Sequence, residues 1–170
     1  RALETRFDGA TALPGEQVDL SAIPTNEEDG PGPGKARKRM KEDRRELSEL
    51  SEMLAAGKAR GVLVVMQGMD GAGKGGATKR PLLLNPAWTR VAAFKKPTKE
   101  EAARPFLERI EAALPQGKAE GVRGFIQVLD RSQYEDLVMP TILGTHAKTE
   151  IQSRYRRVLA FEKRLAEAGV

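Results

Sequence analysis

A chain of 170 residues, 39% hydrophobic and 31% charged, has material for one domain with a core and is short for two. It contains no cysteine, which excludes a disulfide framework and thiolate zinc sites and fits a cytoplasmic protein. The net charge of +5 favours polyanionic partners, but aromatics reach only 5% and do not alternate with the basic residues. Stacking platforms for single-stranded nucleic acid are therefore missing, no nucleic acid is expected, and a phosphate-rich partner accounts for the charge with fewer assumptions. The longest apolar run, Val62–Met66, is too short to cross a bilayer, so no membrane partner is expected.

Residues 1–34 carry Pro14, Pro24, Pro31 and Pro33, the acidic run Glu27–Asp29 and several glycines, which predicts an extended lead-in. The folded domain is expected over 35–170. Met40, Leu47, Leu50 and Leu54 recur at helical spacing within Lys35–Arg60, with Gly57 as the stop. Seven basic residues in Lys35–Arg45 form either a solvated helix face or a polyanion contact. Gly61–Gln67 (GVLVVMQ) reads as a central strand buried on both faces, followed by glycines and a helix from Gly75. Arg90–Phe94 is a second strand. Thr98 and Glu101 make a capping box that opens a helix through Leu114, with Pro105 kinking it or delaying its start. Gly124–Leu129 is a third strand, a close neighbour of the first, ending at Asp130. A last helix over Thr149–Ala168 points Ile151, Tyr155, Val158, Leu159 and Leu165 to the core. Strands alternating with helices predict an α/β fold of three layers, a mostly parallel sheet with helices on both faces.

Gly68–Gly75 matches G-x-x-x-x-G-K, with glycine where Ser or Thr usually follows the lysine. Glycines allow backbone N–H groups from Gly71, Ala72, Gly73, Gly75 and Gly76 to converge on phosphate oxygens, and the following helix adds its positive end. Lys74 bridges phosphates as a mobile charge. The expected chemistry is phosphoryl transfer involving a nucleotide. Gly75 offers no hydroxyl to Mg²⁺, which makes Asp70 the candidate ligand inside the loop. Asp130, at the C-terminal end of a strand, is the second candidate, with a helix cap or turn as its plainer role. Arg131 either reaches a phosphate or forms a surface salt bridge.

Taken together, QGMDGAGKGG at Gln67–Gly76, NP at Asn85–Pro86, FKKPTKEE at Phe94–Glu101, FLERI at Phe106–Ile110 and LDRSQYED at Leu129–Asp136 resemble the polyphosphate kinase 2 family. RYRRVLAFEKRLAEAG at Arg154–Gly169 extends the likeness, which covers about 35–170. The YED ending is similar to the branch that accepts AMP as well as ADP. The resemblance implies Mg²⁺-dependent transfer between inorganic polyphosphate and a nucleoside mono- or diphosphate (AMP or ADP, with GMP and GDP as further acceptors), by a homo-oligomer. It implies that Asp70 orients the acceptor phosphate and metal, Lys74 and Arg131 hold phosphates, and Asp130 completes the metal site. Lys95 and Lys96 lie along a donor channel or are plain surface residues. Tyr134 and Glu135 stand near the nucleotide, with ring packing as the alternative for Tyr134.

Pro81, Pro105, Glu108 and an insertion at Ala119–Arg123 depart from the family pattern. The pattern also continues past Val170 with a further strand, a basic lid and closing helices. The domain is thus expected to be truncated on that side, binding phosphates but turning over poorly. His146 reads as a loop residue and Trp88 as packing or a loop anchor. Two other readings stand beside the leading one. The first is an ATP-dependent P-loop kinase for a nucleotide or small molecule. The second is a non-catalytic polyphosphate- or nucleotide-binding module.

Overall fold

Asp130, Met66 and Ala93 sit side by side at one end of a parallel sheet, and this alignment positions everything that follows. The computed structural model describes residues 17–22, 32–79 and 84–170. Its strands are β1 (Val62–Met66), β2 (Thr89–Ala93) and β3 (Ile126–Asp130), in the order β1-β3-β2. Val62 pairs with Ile126 and Met66 with Asp130; Thr89 pairs with Ile126 and Ala93 with Asp130. The helices are α1 (Pro33–Gly57), α2 (Lys74–Lys79), α3 (Lys99–Ala102), α4 (Glu108–Ala113), α5 (Glu135–Leu143) and α6 (Lys148–Glu167).

Two compact units divide between Lys38 and Arg39. Described in the first are a 3-10 turn at Leu20–Ala22 and the opening of α1. Hydrogen bonds from the Ser21 hydroxyl and amide hold the Asp19 carboxyl below its usual range. The sheet and every residue of the candidate site lie in the second unit. Most of the lead-in at residues 1–34, and Pro81, fall outside the described residues.

Alternation along β3 sends its side chains to two cores. Leu129 joins Leu107, Ile110, Leu114, Val122, Leu137, Val158, Phe161 and Leu165 on one face. Ile126 and Val128 face the other way, toward Leu84 and the partly buried Leu47, Leu54, Val64 and Met66. Helices α4 to α6 therefore cover one side and α1 the other, the three-layer α/β arrangement expected from the sequence. On α1 the buried seam is Leu47, Ser51 and Leu54, where Ser51 accepts a hydrogen bond from Trp88 Nε1 at 3.1 Å. Trp88 is thereby a loop anchor. The Arg39–Asp43 and Arg45–Glu49 pairs lie on the exposed face of α1, where each contributes only about 0.3–0.5 kcal/mol.

Several expectations need correcting. The central strand is β3, not β1: β3 is buried along four of its five residues, whereas Val62 on β1 is 41% exposed. Hydropathy points the other way, since β1 (VLVVM) is wholly apolar while β3 (IQVLD) carries Gln127 and Asp130, so it does not identify the central strand. The helix expected over Thr98–Leu114 is two helices. The capping box forms as read, but α3 ends at Ala102, because Pro105 has no N–H for Glu101 and its ring would strike that carbonyl. On α6 the core face is Val158, Phe161 and Leu165, while Tyr155 and Leu159 are 51% and 46% exposed. Helix α5 was not foreseen, since Pro140 lies inside it; Gly144, left-handed at φ 61°, ends it. The Ala119–Arg123 segment is part of the core rather than an appendage. Its Val122 is fully buried, and a Cβ on Gly121 would run into the Pro115 carbonyl.

Candidate active site

The loops that leave the C-terminal ends of β1, β2 and β3 begin at neighbouring positions of the register, so Gln67–Gly73, Phe94–Thr98 and Arg131–Tyr134 meet at one sheet edge. In parallel α/β sheets this edge is where ligands bind. The first loop turns through Gly71 and Gly73, both left-handed (φ 85° and 89°), a conformation that a Cβ would oppose. Lys74 opens α2, and its ammonium folds back over its own loop, donating to Gly68 O at 2.6 Å and Met69 O at 2.8 Å. Among the described residues, nothing beyond its own helix and chain neighbours lies within 4 Å of where a Cβ on Gly75 would be, so its missing hydroxyl is a chemical rather than a steric feature. Thr78 supplies the nearest helix hydroxyl in sequence, but it turns back on Lys74 O and Gly75 O, each at 3.2 Å.

Asp70 stands on the loop with its side chain 89% exposed, and its Oδ1 accepts from Arg131 Nη2 at 2.7 Å. The other arm of the Arg131 guanidinium donates to Glu135 Oε1 at 3.3 Å. Glu135 Oε2 accepts in turn from Gln67 Nε2 at 2.5 Å, and Gln67 Oε1 accepts from Ser132 Oγ at 3.3 Å. Arg131 itself is left-handed at φ 64°, held by its N–H donating to Met66 O at 3.0 Å. A non-glycine residue in that region is uncommon. Asp130, half-buried, ends β3 at the same edge. Asp70, Arg131, Glu135 and Gln67 thus form one network beside Asp130.

Lys95 and Lys96 are exposed on the loop after β2 and line a cleft of about 630 Å³ together with Arg131 and Glu135. Four further cations stand on its wall, Arg104, Arg109, Arg154 and Arg157, to none of which the sequence assigned a role. Arg109 lies inside FLERI, a segment that suggested resemblance without suggesting a role. It donates to Lys95 O and Asp136 Oδ2, both at 3.0 Å, and its guanidinium sits 5.5 Å from the Phe94 ring centroid. The lysine loop is therefore tied to α4 and α5. His146 is a loop residue, as read, but it lines the cleft with Nε2 2.9 Å from Arg154 Nη2.

Tyr134 points elsewhere. Its ring packs against the larger core, its hydroxyl donates to Glu162 on α6, and it is absent from the cleft wall. Burial first, and then the hydrogen bond and charge of Glu162, push its pKa up to about 12. Among the described residues, no group of three or more His, Cys, Asp or Glu side chains is arranged to hold a metal. None of the helices there is long and apolar enough to cross a membrane.

A parallel sheet with a glycine-lysine loop after β1, and a carboxylate ending the adjacent strand, defines a P-loop kinase-like protein. The sequence profile of Polyphosphate kinase 2 matches residues 33–170, and the chain belongs to that family. It is 37% identical over 127 residues to the AMP/ADP-polyphosphate phosphotransferase of Meiothermus ruber, covering 74% of this chain and 45% of that protein. With the GDP-polyphosphate phosphotransferase of Mycobacterium tuberculosis it shares 34% over 126 residues, 74% of this chain and 40% of that one. The crystal structure of Polyphosphate Kinase 2 from Arthrobacter aurescens superposes with a TM-score of 0.79 at 34% identity, covering 91% of this chain and 55% of that one. The chain spans about half the length of these relatives, or less.

Proposed function

We propose that residues 35–170 form a phosphotransferase domain that moves a phosphoryl group between inorganic polyphosphate and a nucleoside mono- or diphosphate. The observation that carries this reading is convergence. Asp70 pairs with Arg131 at the sheet edge where Asp130 ends β3 and the Lys74 loop follows β1, and Arg131 also walls a cleft lined by Lys95, Lys96 and further arginines. A cleft so rich in cations suits an extended polyanion better than a compact neutral substrate.

In the forward direction, a terminal phosphate oxygen of the nucleotide forms a bond to the end phosphorus of polyphosphate. The bridging P–O bond breaks, and the chain leaves one phosphate shorter. Little covalent chemistry falls to the protein; positioning and charge do most of the work. The loop N–H groups and Lys74 hold the phosphates, Arg131 balances the charge that gathers on the moving group, and the cleft lysines align the donor. Asp70 and Asp130 suit Mg²⁺, which binds through one or two hard carboxylates plus substrate phosphates and keeps several waters. When bound, the ion supplies charge neutralisation between donor and acceptor. Glu135 faces the cleft and is the better placed of the two nucleotide candidates, since Tyr134 is committed to the core. AMP and ADP are the proposed acceptors, with GMP and GDP also in range, in a cytoplasmic homo-oligomer.

The test is a donor–acceptor matrix read by phosphorus NMR: polyphosphate or ATP against AMP, ADP, GMP and GDP. Product with polyphosphate and none with ATP supports the proposal. Transfer from ATP alone overturns it in favour of an ordinary nucleotide kinase. Binding without transfer in every combination favours a binding module.

A further inference from the structure

The turn Arg131–Glu135 carries two of the proposed site residues, and its opening backbone is one that a side chain disfavours. Such a conformation persists only where its surroundings hold it from more than one side. From the front it is held by Gln67 and the Met66 carbonyl. From behind it is held by a single carboxylate: Glu162 Oε1 accepts from Gln133 Nε2 at 3.2 Å and from the Tyr134 hydroxyl. Gln133 is almost completely buried, and among the described residues its Oε1 has no hydrogen-bond partner, so Glu162 is the one side chain there that its amide bonds. Phe161 and Leu165, flanking Glu162 on α6, are core residues, so the carboxylate is presented from a rigidly packed helix.

We infer that Glu162 is a positioning residue for the phosphate site, gripping Gln133 and Tyr134 so that Arg131 stays aimed at Asp70 and Glu135 at the cleft. It touches no substrate in this reading, and it acts through the turn. The inference rests on the proposed function for its consequence, polyphosphate binding, but not for its geometry. Gln at this position keeps a carbonyl oxygen that both donors can use, whereas Ala leaves both without an acceptor.

The experiment compares wild type, Glu162→Gln and Glu162→Ala as full chains, by amide hydrogen exchange and by titration with inorganic polyphosphate at fixed salt. In Glu162→Ala, exchange across residues 131–136 is expected to rise by at least about tenfold while β1 and β3 stay protected, as for a local opening. Polyphosphate affinity should fall by about tenfold alongside, with Glu162→Gln restoring both. Unchanged exchange at 131–136, or an equal rise across β1 and β3, would overturn the inference, the latter marking Glu162 as merely a stability residue. If Glu162→Ala does not fold, Tyr134→Phe removes one of the two donors and must show the same local rise at smaller amplitude. A wild type that binds no polyphosphate, with the exchange pattern as expected, would sink the proposed substrate and leave the positioning role standing.

Discussion

Lys74 ends five bonds from its Cα in a charge that, among the described residues, hydrogen-bonds two carbonyls of its own loop. Those weak acceptors leave it free to move onto phosphate, so Lys74→Ala should lower transfer by about 10²–10³-fold, the usual cost of one lost electrostatic contact at the reacting group. Full activity in a folded Lys74→Ala variant, measured by steady-state kinetics, would contradict the P-loop assignment. Tyr134 offers a second residue-level measurement. Its pKa rises from an ordinary 10.0 to about 12, so the fold favours the neutral phenol. That contribution is complete below pH 10 and is lost as pH climbs through the raised value. Wild type should therefore lose stability between pH 10 and 12 more steeply than Tyr134→Phe, with denaturant melts as the readout. Parallel curves would contradict a phenol raised by burial and by Glu162 together.

At the scale of elements, α6 provides the sharpest contrast between periodicity and packing. Leu159 and Phe161 are two residues apart and both apolar, yet one is 46% exposed and the other 2%. Phe161→Ala should cost about 3–5 kcal/mol through lost burial and the cavity left behind. Leu159→Ala should stay within about 0.5 kcal/mol, as surface substitutions usually do. Urea denaturation of the two variants checks the orientation of the helix, and equal losses would mean it is turned differently. The Pro105 break belongs to the same scale. It separates α3 from α4, and α4 carries Arg109, whose bonds to Lys95 O and Asp136 tie down the lysine loop.

Over the whole molecule, the excess of positive charge becomes useful only where the fold concentrates it. Lys95, Lys96, Arg104, Arg109, Arg131, Arg154 and Arg157 come from separate segments but line one cleft. Long polyphosphate should consequently bind better than triphosphate, and its affinity should fall steeply as salt rises, since an extended polyanion releases counterions on binding. Equal affinity for long and short chains at low salt, measured by calorimetry, would argue against a channel.

Much of this protein follows from its sequence alone. Gly71 and Gly73 take the left-handed turn that their spacing before Lys74 predicts, the capping box at Thr98 forms as written, and the apolar runs mark all three strands. These features are local: each depends on backbone freedom, a cap or a short periodicity within a few residues. What tertiary structure decided is everything that depends on which neighbours meet. The strand order placed β3 at the centre although β1 is the more apolar run, because hydropathy carries no label for position in a sheet. Packing selected the Val158–Phe161–Leu165 face of α6 and sent Tyr134 to Glu162 instead of the cleft. Arg109, Gln67 and Glu162 lie inside segments that suggested resemblance without suggesting a role, since a long polar side chain acquires its role from distant partners, and only the folded chain brings those within reach.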